Sequence, residues 1–281
     1  MEQNKENDLL AYLIMTVAVL LILCLIGCVA LVIVRQIYAE NEPTTQEPTE
    51  TESESESIPT QVDPLTVILG ETPDAGMKYI DKMIFFGEST TAHLRARGVL
   101  TGGTNTKQVW ADSSGTKSLS SKITYEPIIY PETGESMTVA EACAKAKPEY
   151  IVLGFGLNGI NGFIKDKNSY VNAYNKLIRA IREASPDTKI ILQSVYPVTD
   201  GTESQAFGVD IVTLNANIDT LNSWLPEIAA SHENVRFVNT ASVLKNADGK
   251  LVESYNIGGG IHLTADAYKP ILDYLRTHAW Q

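Results

Sequence analysis

The hydrophobic pattern divides the chain into three parts. Leu9 to Val34 carries no charged residue, and Thr16 is its most polar member. A helix of that length spans roughly 39 Å, enough to cross a hydrocarbon core of about 30 Å with some tilt. The run is longer than a signal-peptide apolar region and has no obvious small-residue cleavage site, so it predicts one transmembrane helix. From about Ala39 to Thr60 the chain is Glu, Thr, Ser and Pro with almost no apolar side chains. Such a stretch cannot bury enough surface to offset the entropy of ordering it, which predicts a disordered linker. The expected organisation is a short cytoplasmic tail (1–8), a transmembrane helix (9–34), a linker (35–63) and a globular domain (64–281).

Within the domain the period changes. Met83 to Phe86, Tyr150 to Leu153, Lys189 to Gln193 and Val235 to Val238 are short, mostly apolar runs, and the first two end at Gly87 and Gly154. A weaker strand is expected around Gln108 to Ala111. Short runs without alternation indicate strands buried on both faces, as in parallel sheets. Between them lie helical patterns. Tyr170, Tyr174, Leu177, Ile178 and Ile181 follow one face of a helix closed by Pro186-Asp187, and Leu214, Ile218, Leu221 and Leu225 follow another. A last helical pattern covers Ala265 to Leu275. Strands alternating with helices predict an α/β fold with right-handed crossovers and a site beyond the carboxyl ends of the strands.

Charge and cysteines narrow the classes. The net charge is −12, and Glu40, Glu42, Glu47, Glu50, Glu52, Glu54 and Glu56 supply seven of the negative charges. Without these linker glutamates the balance is about −5, ordinary for a soluble domain. No concentrated basic stripe is present, which argues against nucleic acid as a partner. Cys24 and Cys28 lie in the apolar run and leave Cys143 alone, so the domain has no disulfide framework. No Cys/His cluster has zinc spacing, and nothing indicates a metal or an organic cofactor. Leu25-Ile26-Gly27-Cys28 is similar to a bacterial lipidation site, but Val29 to Val34 stay apolar, against that alternative. Lys5 and Arg35 flank the span on opposite sides and barely choose its orientation, whereas an acidic stalk suits the outer face. The expected location is the cell membrane, single-pass, with the domain extracytoplasmic.

Three segments could carry chemistry. Phe86-Gly87-Glu88-Ser89-Thr90-Thr91 follows the first strand, where a serine would project from the carboxyl edge with its N–H at a helix N-terminus. Taken alone, Ser89 reads as a helix N-cap, with Thr90 and Thr91 as alternatives. Gly154-Phe155-Gly156-Leu157-Asn158-Gly159 again ends a strand. Asn158 could aim its amide at an oxyanion, but Asn-Gly is also a common turn. Gly258-Gly259-Gly260-Ile261-His262-Leu263-Thr264 precedes the last helix, and His262 could reach a serine on the first strand's loop as its general base. The glycine triplet matches neither GxGxxG nor the P-loop pattern. His93 is expected on the helix after Ser89, and His232 and His278 near helix ends.

Together these blocks, in this order and at strand ends, resemble the SGNH/GDSL hydrolases over roughly Lys82 to Trp280, and the stretch Ala241 to Leu244 with Gly260 to Thr264 looks like surface-anchored members from Gram-positive bacteria. The resemblance implies a flavodoxin-like three-layer sandwich with a parallel sheet. It implies Ser89 as nucleophile, His262 as base, and an oxyanion hole from the Ser89 and Gly115 N–H groups and the Asn158 side chain. The chain departs from the family blocks at three places: Glu88 replaces an aspartate, Gly159 replaces an aspartate, and Gly259 stands where the acid that orients histidine is usual. A backbone carbonyl or a carboxylate such as Glu253 or Asp266 is expected to stand in. The implied activity is a serine esterase removing short acyl groups, O-acetyl foremost, from an extracellular or cell-envelope glycan. Acyl transfer to a sugar hydroxyl and a non-catalytic, surface-tethered binding module are the alternatives, and Gly259 and Gly159, each in place of an expected acid, are the support for the latter.

Overall fold

The computed structural model describes residues 62–112, 114–115 and 117–281. Among these described residues no helix is long and apolar enough to cross a membrane. The expected transmembrane helix at 9–34, and the linker as far as residue 61, lie outside them.

The domain is built on a five-stranded parallel sheet. In chain order it uses β1 (Met83–Gly87), α1 (Ser89–Ala96), β2 (Val109–Trp110), then a two-stranded antiparallel ribbon of β3 (Ile128–Ile129) and β4 (Ser136–Met137). There follow α2 (Val139–Ala146), β5 (Tyr150–Gly154), α3 (Lys167–Ala184), β6 (Lys189–Gln193), α4 (Ile211–Ala230), β7 (Val235–Val238) and α5 (Ala265–Thr277). The strand order is β2-β1-β5-β6-β7, the doubly wound order in which the chain reverses direction across the sheet between β1 and β5. Gly87 of β1 is in register with Gly154 of β5, which places the loops that follow these strands side by side at that switch point.

Residue alternation assigns the layers. On one face Phe86, Ile151, Leu153, Ile190, Leu192, Val235 and Phe237 pack with α2, α3 and α4; on the other, Met83, Phe85, Val109, Val152, Ile191 and Val238 pack with α1 and α5. Tyr150 to Leu153 are all buried, so the strand is apolar on both sides and reads as an unbroken run. The helices show one apolar stripe instead: Tyr170, Tyr174, Leu177, Ile178 and Ile181 of α3 are fully buried while the opposite side meets solvent. The result is a three-layer α/β/α sandwich. The four stronger strands and three long helices lie where the periodicity puts them, and the weak pattern at 108–111 forms β2 at the sheet edge.

Candidate active site

The expected nucleophile, base and oxyanion residues sit at the carboxyl edge of the sheet, on loops or at a helix start. Ser89 opens α1 directly after β1; its N–H, at the first helical position, has no intrahelical acceptor and faces outward with the positive end of the helix dipole. His262 lies two residues before the Thr264 N-cap of α5. The fold brings them together: His262 Nε2 is 2.9 Å from Ser89 Oγ. A cleft beside this pair is also bordered by His93, Asp112, Gly115 and Asn158.

The other imidazole nitrogen is held by a residue the sequence did not single out. His262 Nδ1 is 2.7 Å from Glu203 Oε2. The tautomer that satisfies both contacts carries its proton on Nδ1, donates it to Glu203, and leaves Nε2 to accept from the Ser89 hydroxyl. The expected substitutes are elsewhere: Asp266 pairs with Lys269 at 2.6 Å, and Glu253 accepts from Thr199 Oγ1 at 3.1 Å.

Glu203 comes from a single helical turn, Thr202–Gln205, in the loop after β6. Its position is fixed by backbone lacing: the Glu203 and Ser204 N–H groups both donate to the Gly259 carbonyl, at 3.0 and 3.2 Å, and the Thr199 N–H donates to the Gly260 carbonyl at 2.9 Å. Asn256 Oδ1 accepts from the Gly260 N–H at 2.9 Å and holds the other loop. The missing side chain at 259 is part of this arrangement, because a Cβ there would overlap the Glu203 carboxylate. The carboxylate thus fills space that a residue with a side chain at 259 would occupy. A carboxylate in the loop after a central strand, opposite a glycine triplet, is the only signal the sequence carries of this contact.

The oxyanion side differs in detail from the expectation. Asn158 donates from Nδ2 to the Lys117 carbonyl at 3.1 Å, which leaves its second amide hydrogen for another acceptor. The Gly115 N–H donates to Asp112 Oδ1 at 2.7 Å, so a role toward an oxyanion requires that bond to break. Ser114 also binds Asp112 through its N–H and its hydroxyl. Burial works to raise the Asp112 pKa, but these bonds, with Lys117 nearby, outweigh it and hold the carboxyl below its ordinary range. Asp112 is therefore an ionised anchor of the 112–117 loop.

Glu88, which replaces the family aspartate, is buried at 4% exposure. Its Oε1 accepts from the Gly156 N–H at 3.0 Å, its Oε2 from the Leu157 N–H at 3.1 Å, and both oxygens from the Asn158 N–H at 3.2 Å. Gly156 has φ of +143°, and a Cβ on it would meet Val195 at 2.8 Å, so only glycine lets the loop turn here. The His93 ring lies against His262 at a tilt of 42°, with centroids 4.7 Å apart. Burial, then the facing His262, lowers the His93 pKa below the usual imidazole value, which keeps that ring neutral. His232 and His278 lie at the ends of α4 and α5, away from Ser89 in contact terms: His232 binds Asn175 and His278 binds the Tyr274 carbonyl. Among the described residues no group of His, Cys, Asp and Glu is placed to hold a metal ion.

Comparison with solved structures finds similarity to a family two carbohydrate esterase from Clostridium thermocellum in complex with cellohexaose, at 18% identity over 69% of this chain and 62% of that one, with a TM-score of 0.43. It also finds the periplasmic domain of a lipopolysaccharide acetyltransferase from Salmonella ser. Paratyphi A, at 15% identity over 75% and 86% of the two chains, with a TM-score of 0.44. A third is a Clostridium thermocellum family 3 carbohydrate esterase, at 14% identity over 70% and 93%, with a TM-score of 0.39. No curated protein sequence matches the chain. The sequence model of the GDSL-like lipase/acylhydrolase family matches residues 85–269. That span opens in β1 just before Ser89, passes Asn158 and Glu203, and ends in α5 beyond His262. On this match, well over half of its length, the chain belongs to the GDSL-like lipase/acylhydrolase family.

Proposed function

We propose that the protein is a serine esterase that removes short acyl groups, O-acetyl foremost, from an extracellular or cell-envelope glycan. The observation that carries the reading is the continuous contact from Ser89 Oγ through His262 to the Glu203 carboxylate. Ser89 Oγ attacks the ester carbonyl as His262 Nε2 takes its proton, and Glu203 stabilises the imidazolium that forms. The Ser89 N–H and the free hydrogen of the Asn158 amide bind the oxyanion. His262 returns the proton to the leaving alcohol, and water then attacks the acyl-Ser89 ester by the same route in reverse.

The Glu203 contact also weakens the binding-module alternative, since it answers one of its two supports, the glycine at 259, and leaves the other, Gly159. The choice of a glycan rests on the family resemblance and on the expected tether. The apolar run at 9–34 would hold the domain at the outer membrane face on its acidic stalk, where polymer esters are in reach. Protease treatment of intact cells tests this placement, and a domain that survives it until the cells are lysed contradicts it.

With the full-length protein and p-nitrophenyl acetate, Ser89→Ala and His262→Ala are each expected to lower kcat by about 10⁴ or more. Hydrolysis unchanged by Ser89→Ala sinks the assignment. Acetate released from an O-acetylated glycan, and not passed to an added sugar acceptor, separates hydrolysis from transfer.

A further inference from the structure

We propose that Glu88 is a positioning residue for this reaction: its ionised carboxylate clamps the backbone of Gly156, Leu157 and Asn158, and its protonation releases Asn158 from the oxyanion site. The inference rests on the reading of Ser89 as the nucleophile and of Asn158 as an oxyanion donor.

The geometry has three parts. First, both carboxylate oxygens are used, and three consecutive N–H groups point at them within 3.0–3.2 Å. Three converging backbone donors form a cradle that suits a full negative charge. The neutral acid carries a hydrogen on one oxygen, which leaves that oxygen a weak acceptor, so it holds the three donors less well than the carboxylate does. Second, Glu88 is the residue before Ser89, and its own carbonyl accepts from the Thr91 and Ala92 N–H groups at the start of α1. One residue therefore ties the nucleophile's helix to the loop that carries the oxyanion amide. Third, Asn158 is exposed, and among the described residues its side chain makes one hydrogen bond, to the Lys117 carbonyl.

The surroundings make the charge conditional. Burial pushes the Glu88 carboxyl up to about 7, against the lowering effect of the Gly156, Asn158 and Leu157 N–H groups. Among the described residues no cation pairs with it. The titratable groups facing it are Tyr170 and Tyr174 from α3, which burial keeps neutral with pKa raised above the usual phenol value. Tyr196, after β6, borders the same small cavity and is likewise raised by burial. His262 contacts the adjoining Ser89, not Glu88. The cavity, about 20 Å³, also meets Gln193, whose Nε2 is buried without a partner, and it is large enough for one water beside the carboxylate.

The test uses the full-length protein with amide resonances of residues 156–158 assigned. In the wild type, the Gly156, Leu157 and Asn158 amide shifts are expected to titrate together with a midpoint near the Glu88 value, between about pH 5.5 and 8.5, and to be flat in Glu88→Gln. Shifts that stay flat in the wild type overturn the proposal, and this readout does not depend on any variant folding. In parallel, Glu88→Gln is expected to lower kcat on p-nitrophenyl acetate by about 10-fold or more with little change in KM, because the oxyanion contact acts on the transition state. Glu88→Asp, which keeps the charge on a shorter arm, is expected to recover part of the loss. A wild-type kcat in Glu88→Gln overturns the proposal. Loss of the underlying reading is seen separately, as activity that survives Ser89→Ala.

Discussion

A Cβ on residue 259 would stand inside the Glu203 carboxylate, so the absence of one side chain makes room for the charge of another. This sets expectations for three single residues. Glu203→Gln keeps the shape but removes the charge that favours the Nδ1–H tautomer and the imidazolium, and is expected to lower kcat by about 10²–10⁴. Gly259→Asp, which writes the usual family acid back into the sequence, is expected to lower activity too, because its side chain displaces Glu203. Asp266→Asn is expected to stay within about 2-fold of wild type, since Asp266 pairs with Lys269. Steady-state kcat/KM on p-nitrophenyl acetate checks all three, and a gain of activity in Gly259→Asp contradicts the arrangement. Ser89, Asn158 and His262 were legible because each follows a strand end or precedes a helix within a short local block. Glu203 was not, because its role exists only in a contact between two loops far apart in sequence. The commitment of the Gly115 N–H to Asp112 is equally invisible in the sequence.

Among the elements, the ones read correctly are those whose burial leaves a period in the sequence. β5 is covered on both faces and α3 on one, and each gives its own pattern. The ribbon of β3 and β4 has two residues per strand, too few to show a period. Helix α2 was missed for a different reason: of its eight residues four are alanine, and only Val139, Ala142 and Cys143 are buried. Its start is nevertheless well specified. Thr138 accepts from the Glu141 N–H at 3.2 Å, and Glu141 accepts from the Thr138 N–H at 2.7 Å, a complete capping box. Thr138→Ala is expected to destabilise the fold by about 1 kcal/mol in denaturant unfolding, with kcat unaffected because α2 is not part of the cleft. A loss well under that figure would mean that packing against α3, and not the cap, sets the start of α2.

For the whole molecule, Glu88 links stability to pH with a sign opposite to that of Asp112 and Asp210. Its pKa rises from 4.5 to about 7 on folding. The folded state therefore holds this proton more tightly than the unfolded chain does. The resulting stability is fully present below about pH 4.5 and is lost as pH rises toward 7, a change on the order of 3 kcal/mol. Asp112 and Asp210 act the other way: hydrogen bonds hold both below the ordinary range, so their stabilisation is lost on further acidification. Thermal unfolding followed against pH is expected to show Tm falling between pH 5 and 7 (about two units of titration) and that fall to be reduced in Glu88→Gln. An equal fall in the variant contradicts it. The acidic side of that window is where the fold is firmest and the neutral side where the oxyanion loop is clamped, so stability and activity are drawn to different pH.

The proposed reaction requires Ser89 to be a nucleophile activated through His262 and Glu203. The most direct measurement is covalent labelling of the full-length protein with a fluorophosphonate, followed by intact mass and peptide mapping. One adduct per chain is expected, located on Ser89, formed more slowly in Glu203→Gln and not at all in Ser89→Ala. Absence of an adduct, or an adduct on another residue that Ser89→Ala leaves in place, would contradict it.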